Sequence, residues 1–172
     1  MNVTEAIESH FSKRAEEDME DVIPYDERVV SIAIVVFGVL IMLYFAAHQM
    51  WPTGFFTTTI GTLEMLLLYG SLIYWIVASA LLLIDRKNLS RGIDVFGGLL
   101  FVTVSTAWLF VVFPFEFIYF ADVLPDFLRF LVQWISNDIV RVLMVLGIIV
   151  HLVLAVYSTI LRVFVWKARA RK

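Results

Sequence analysis

The sequence predicts an all-helical integral membrane protein with four transmembrane helices and an outer interfacial half-helix between the third and the fourth. Hydrophobic residues make up 61% of the 172 positions, and the mean hydropathy is +0.89. Soluble domains contain only about 45–50% apolar residues. Four apolar runs approach the roughly 20 residues that a helix needs to cross a bilayer. Lysine and arginine are distributed very unevenly between alternate connectors, which predicts the orientation of the helices.

The N-terminal residues 1–28 are predicted to form an acidic cytoplasmic tail that contains nine acidic and three basic side chains. Apolar residues recur there at every fourth position and predict an amphipathic helix: Val3, Ile7, Phe11, Ala15 and Met19. An acidic polar face disfavours docking on anionic lipid. It favours docking on another protein or on the basic C-terminal region of this chain, and a frayed acidic tail is the alternative.

The membrane domain is predicted to cover residues 29–166, with spans at about 29–47, 55–84, 95–113 and 139–166. The segment "HQMWPTG" turns the chain after the first span, and "DRKNLSRGID" separates the second from the third. The second span would measure about 45 Å at 1.5 Å per residue. Because a hydrocarbon core is about 30 Å thick, its polar beginning "TTTIGT" is expected to project beyond the lipid.

Residues 125–135 are predicted to form the interfacial helix, which begins at Pro125. Eleven residues give a helix of about 16 Å, half the length that spanning requires. The cluster "SND" at 136–138 is typical of a helix N-cap and would start the fourth span. Two interpretations remain open for this segment: a lid or partner-docking surface, or an anchor that fixes the tilt of the helices.

The orientation follows from the 13 lysine and arginine residues. Eleven of them fall on the side that carries both termini, including the basic tail "KARARK" at residues 167–172. The other side carries only Arg129 and Arg141. Since basic residues are retained on the cytoplasmic side, both termini are predicted to be cytoplasmic in a multi-pass cell-membrane protein.

Glu64 and Arg141 are the first candidate polar residues within the membrane domain. Glu64 lies near the outer hydrocarbon boundary on a helix-packing stripe that includes small residues, and Arg141 has a similar predicted depth. An intramembrane carboxylate needs a partner or a proton, so we expect a Glu64–Arg141 ion pair between the second and fourth spans. Asp138, three residues before Arg141, is the local alternative.

His151 is the third intramembrane candidate and lies near the centre of the fourth span. It shares a helix face with small residues at four-residue spacing and is expected to point into the bundle. One interpretation is a proton relay or pH sensor. The other is a neutral histidine that bonds a nearby hydroxyl group, with three candidates: Ser105, Thr106 and Tyr69.

Several acidic residues on the predicted outer face could form a metal or headgroup site, together with one histidine: His48, Glu64, Glu116, Asp122, Asp126 and Asp138. Hard cations bind oxygen ligands, but these spacings match no ligand motif. The chain has no cysteine, which excludes disulfides and thiolate chemistry. It also lacks phosphate-loop and hydrolase motifs, so no cofactor is expected. Nucleic-acid binding has no support, because no basic patch is present on a soluble domain.

Four short spans with few buried charges make a poor solitary transporter. The sequence therefore favours an accessory or scaffold subunit that assembles within the lipid bilayer, as a homo-oligomer or within a larger membrane complex. An oligomeric ion channel or proton-coupled transporter that uses Glu64 and His151 is the first alternative. A membrane enzyme that acts on lipid at the outer face is the second, with three candidate catalytic acids: Glu116, Asp122 and Asp126.

Overall fold

A computed structural model of the chain describes residues 3–19, 25–83 and 101–169. These residues form helices joined by loops, with a single isolated antiparallel bridge between Phe56 and Phe115 in the part described. The α-helices are α1 (Val3–Met19), α2 (Tyr25–Met50), α3 (Thr62–Leu83), α4 (Thr103–Val112), α5 (Asp126–Arg129) and α6 (Asn137–Arg169). A short 3-10 helix, Phe117–Tyr119, lies between α4 and α5.

Three of the described helices, α2, α3 and α6, are long and apolar enough to cross a membrane. Helices of this length and composition are typical of a membrane-embedded protein. Helix α4 is apolar but contains only 10 residues. The predicted third span, 95–113, begins outside the described residues, as does the connector "DRKNLSRGID" before it.

Helices α2 and α6 contain the predicted spans 29–47 and 139–166, but α3 begins at Thr62 rather than near Phe55. The reason is that the backbone around Phe55 pairs with another loop. The N–H of Glu116 donates to the carbonyl of Phe55 at 2.7 Å, and the N–H of Thr57 donates to the carbonyl of Pro114 at 3.1 Å. Because the Phe55 carbonyl and the Thr57 N–H bond this loop, they are not available for the hydrogen bonds of an α-helix.

Helix α3 packs against α2 and α4, and α6 packs against α4 and α1. Gly38 permits a close approach of α2 to α3, because a Cβ atom there would lie 2.9 Å from a side-chain carbon of Ile76. We call the end of the helices that carries residues 51–61 and 113–136 the loop end. The opposite end, where α2 begins and α6 ends, is the terminal end.

The loop end holds the main described core, which we call the phenylalanine cluster. Its buried members are Phe55, Leu68, Leu109, Phe113, Phe115 and Phe117. Partly buried side chains pack around them: Phe45, Phe56, Phe120, Ile135, Val140 and Met144. The cluster therefore combines residues from α2, α3, α4, α6 and both loops into one apolar unit.

The stretch "FPFEF" at 113–117 ends α4 and contributes three buried phenylalanines to this cluster. Phe113 has a left-handed backbone with φ 41°, and its N–H donates to the carbonyl of Leu109 at 2.9 Å. A left-handed residue followed by proline is a common helix terminus. Here it is occupied by a buried phenylalanine instead of glycine, because the ring packs in the cluster.

The predicted interfacial helix is shorter and tighter in the structure than the eleven residues expected. Helix α5 covers four residues after Pro125, and hydrogen-bonded turns continue to Ile135. Most of their bonds join residues three positions apart, such as that from the N–H of Leu131 to the carbonyl of Leu128 at 3.1 Å. The bonding is thus of the 3-10 type. Helices of this type seldom extend beyond three or four residues.

Helix α6 begins where the "SND" cluster predicts. The hydroxyl oxygen of Ser136 accepts the N–H of Ile139 at 3.4 Å, which is N-cap bonding. The side chain of Asn137 then bonds the loop in front of it, accepting the N–H of Phe117 at 2.8 Å and donating to the Glu116 carboxylate at 3.2 Å. These contacts fix the start of α6 against the phenylalanine cluster.

Helix α1 docks on the terminal end of α6. The ring of Phe11 stacks on Phe164 with centroids 5.6 Å apart and contacts Tyr157 at 5.3 Å. The ammonium group of Lys167 lies 5.8 Å from the centroid of the Phe164 ring. Ala15, one turn after Phe11, is fully buried. The contact of α1 is thus made by Phe11 with aromatic residues inside the predicted span 139–166. Docking of its acidic face on another protein or on the basic tail stays a prediction.

Candidate functional site

Glu64 is bonded through both carboxyl oxygens to groups of this chain. It lies in the first turn of α3, where one oxygen accepts the N–H of Gly61 at 2.9 Å. A glutamate at this position of a helix commonly caps the N-terminus in this way. The other oxygen accepts the indole N–H of Trp108, on α4, at 2.9 Å. Glu64 is buried, and its bond to Trp108 joins α3 to α4.

Arg141 has a different partner from the one expected. Its guanidinium carbon lies 4.2 Å from the centroid of the Phe113 ring, a cation–π contact. The expected Glu64–Arg141 pair is thus replaced by two contacts, both made by residues at the C-terminal side of α4, which packs against α3 and α6. The local alternative, Asp138, is exposed.

His151 bonds the backbone of its own helix. Its Nδ1 atom lies 2.7 Å from the carbonyl oxygen of Gly147, which can only accept, so Nδ1 donates. The ring stands edge-on to Trp75 of α3, with centroids 5.3 Å apart. Ser105, one of the hydroxyls expected to bond His151, is buried and has no hydrogen-bond partner in the described structure.

The acidic residues expected on the outer face are dispersed. Glu116 bonds Asn137, and Asp126 lies 3.4 Å from the guanidinium of Arg129 at an exposed position. Asp122 and Asp138 are also exposed. Among the described residues, no group of three or more histidine, cysteine, aspartate or glutamate side chains is placed to hold a metal ion.

His48, which the sequence indicated only as one possible ligand, is bonded through both ring nitrogens at the loop end. It is 2% exposed, and its ring is packed against the rings of Tyr44, Phe55 and Phe120. Nε2 lies 3.1 Å from the carbonyl oxygen of Phe120, and Nδ1 lies 2.7 Å from the hydroxyl oxygen of Thr53. The Tyr44 hydroxyl donates to the same Phe120 carbonyl.

These contacts assign the tautomer of His48. The Phe120 carbonyl only accepts, so Nε2 carries the proton, and Nδ1 accepts from the Thr53 hydroxyl. The oxygen of Thr53 in turn accepts the N–H of Phe55 at 3.4 Å. A neutral imidazole therefore satisfies both ring nitrogens and ties the end of α2 to both loops at the loop end.

Two features hid this network from sequence reasoning. The segment "HQMWPTG" reads as a connector because of its proline and glycine, yet α2 continues to Met50. That extension places Tyr44 and His48 one helical turn apart on the same face. Their common acceptor, Phe120, follows 72 residues after His48, and no local pattern reveals a pairing at that separation.

No protein-family model, curated protein or solved structure matches this chain. Glu64 and His48 bond groups on other helices or loops of the chain, whereas His151 bonds the backbone of its own helix.

The role of Glu64 can be tested by comparing Glu64→Gln with Glu64→Leu. The amide retains one acceptor oxygen, so we expect Glu64→Leu to lower the melting temperature in detergent more than Glu64→Gln does. Trp108→Phe removes the indole donor, and its effect should shrink when Glu64 is already leucine. Fully additive melting-temperature changes in the double variant would show that the two side chains do not interact.

Proposed function

We propose that this chain is an accessory or scaffold subunit that acts by assembling with other membrane polypeptides. The observation that carries the proposal is the internal bonding of Glu64 and His151. A transport path requires polar side chains that face the path and exchange partners with the transported species. Here the polar groups bond the backbone and a tryptophan of the same chain, which favours a structural role.

The apolar surface of the long helices supports assembly within the membrane. Helix α6 exposes large apolar side chains along most of its length, from Val142 to Trp166. Helix α2 exposes a similar set, from Val29 to Leu43. Lipid and the helices of a partner can both cover such faces.

Helix α1 would supply the docking surface outside the bilayer. Its Phe11 and Ala15 are buried, while Glu5 and Glu8 are exposed. We propose that this acidic face meets a partner on the cytoplasmic side. Charge complementarity at such a surface favours a basic partner and gives a contact that weakens with salt.

The finer architecture belongs to the same proposal: four spans, with the third completed by α4, and both termini in the cytoplasm. The distribution of lysine and arginine supports the orientation. Reporter fusions after Lys172 and within residues 51–61 should give opposite localisation signals. Identical signals at the two positions would contradict the proposed topology.

Native mass spectrometry of protein extracted gently from its own membrane tests the assembly role. A complex that contains another polypeptide at fixed stoichiometry is expected, and a monomer would overturn the proposal. If a homo-oligomer is found, flux in liposomes decides between assembly and transport. A pH-dependent flux that Glu64→Gln or His151→Leu abolishes would establish the channel or transporter instead.

Docking of α1 gives a prediction for this arm of the molecule. Phe11→Ala should release α1 from α6 and raise amide hydrogen exchange across Val3–Met19 by about tenfold or more, because most of the stability of a helix in a protein comes from the packing of its apolar face. Ile7→Ala, at a position that is 51% exposed, is the matched control and should leave exchange nearly unchanged. Equal exchange in both variants would show that Phe11 does not hold the helix.

A further inference from the structure

The second half of the loop between α4 and α6 presents a row of large apolar side chains to its surroundings. We call it the outer stripe, and it consists of Phe127, Phe130, Leu131 and Trp134. We propose that the outer stripe inserts into the acyl-chain boundary of the bilayer leaflet at the loop end, so that residues 125–135 lie in the membrane plane as an anchor. This inference is independent of the assembly role proposed above.

All four side chains of the outer stripe are exposed. They lie within eight consecutive residues, 127–134. Their exposed fractions are 73%, 61%, 51% and 63% in chain order. On another side of the same segment, Ile135 packs against the phenylalanine cluster. The segment therefore has a face toward the protein and a separate apolar face that the described chain leaves uncovered.

A polar row completes this arrangement. Asp126, Arg129 and Gln133 alternate with the outer stripe along the segment, at spacings of three and four. The guanidinium of Arg129 is bonded locally, to the carbonyl of Leu124 at 3.2 Å and to the carboxylate of Asp126 at 3.4 Å. An element with protein, apolar and polar sides fits the boundary between lipid and water, where all three environments meet.

The hydrogen bonds of the segment are those that an apolar environment requires. The indole N–H of Trp134 is on an exposed side chain, yet it donates to the carbonyl of Leu131 at 2.7 Å. The backbone N–H groups of the turns bond carbonyls within the segment, as at Leu128, Val132 and Gln133. In water these groups would have free partners, whereas in lipid each unsatisfied group is costly.

The position in the fold places the outer stripe at the depth of the boundary. Ile135 is followed within two residues by the start of α6, a helix long and apolar enough to cross a membrane. Tryptophan and other aromatic side chains are enriched where such helices leave the hydrocarbon. A protein occupant fits less well, because stable interfaces contain about 20–30 residues a side and the outer stripe has four.

Site-directed spin labelling in lipid nanodiscs tests the proposal directly. The chain has no cysteine, so Phe130→Cys and Trp134→Cys each carry a single label. Gln133→Cys is the matched control, exposed on the polar row. Labels at 130 and 134 should collide more often with oxygen, which concentrates in lipid, and less often with a water-soluble nickel chelate, than the label at 133.

Two results would overturn the proposal. Nickel access at 130 and 134 equal to that at 133 would place the outer stripe in water. Labels shielded from both reagents would show that protein, such as a second copy of the chain, covers it. Tryptophan fluorescence tests insertion without cysteine variants. Lipids brominated near the acyl-chain boundary should quench less emission in Trp134→Phe than in the unaltered protein. Unchanged quenching would also contradict insertion.

Discussion

Phe55→Ala is expected to destabilise the protein by about 3–5 kcal/mol, the range found when a buried phenylalanine is truncated. The Phe55 side chain is fully buried, and its ring contacts six other rings: Phe45, His48, Phe56, Phe115, Phe117 and Phe120. These rings come from α2 and from both loops of the loop end. Removing Phe55 therefore leaves a cavity where the two loops meet, and equilibrium unfolding in lipid bicelles would measure the loss.

The same substitution at an exposed position provides the control. Phe37, on α2, is 65% exposed, and Phe37→Ala should change the free energy of unfolding by no more than about 0.5 kcal/mol. A comparable loss in the two variants would mean that the phenylalanine cluster contributes no special stability. In that case apolar contact with lipid would account for both values.

His48→Leu is expected to destabilise the protein by about 2–3 kcal/mol. The leucine side chain is apolar and similar in bulk, but it offers no partner to the Phe120 carbonyl or the Thr53 hydroxyl. Buried polar groups that lose their partners cost about 1–3 kcal/mol each. The Tyr44 hydroxyl still donates to the Phe120 carbonyl, so part of the bonding at that oxygen survives.

The matched control is His151→Leu, the same change at another bonded histidine. His151 donates to the Gly147 carbonyl, an oxygen that also belongs to the hydrogen-bond ladder of α6. We expect a loss below about 1 kcal/mol there, since no group is left without a partner. A larger effect at His151 than at His48 would contradict the assignment of His48 as the side chain that ties α2 to the loops.

Together, these variants separate the two ends of the molecule. Phe55 and His48 belong to a unit that joins the end of α2 to the segments before α3 and after α4. Phe11 belongs to a contact between α1 and the last turns of α6. Substitutions at the loop end are expected to lower global stability, whereas substitutions at the terminal end are expected to release one helix.

The helices that the sequence predicted well are those specified by local patterns. Apolar runs near 20 residues in length gave α2 and α6, and the Ser136 N-cap gave the start of α6. The four-residue period of α1 predicted the buried positions Phe11 and Ala15, whereas Ile7 of the same period is 51% exposed. Such signals depend on neighbours within a few turns of the chain, so they can be read without knowledge of the fold.

The start of α3 and the interfacial helix were predicted less accurately, because distant partners decide both. The backbone around Phe55 joins residues 114–116 instead of extending α3. Residues 125–135 tighten into 3-10 turns while Ile135 packs on the phenylalanine cluster. Local propensity cannot anticipate a competing partner that lies some 60 residues away in the chain.

By itself, the sequence determined that this is a helical chain with the composition of a membrane-embedded protein. It also located the segments of α2 and α6 that are long and apolar enough to cross a membrane, because length and hydropathy are properties of contiguous segments. Tertiary structure alone decided the partners that polar side chains find far away in the chain. Glu64 meets Trp108 and Arg141 meets Phe113 because α4 packs against both α3 and α6. His48 bonds Phe120 because two loops distant in sequence fold over the end of α2, and such contacts depend on the arrangement of whole helices.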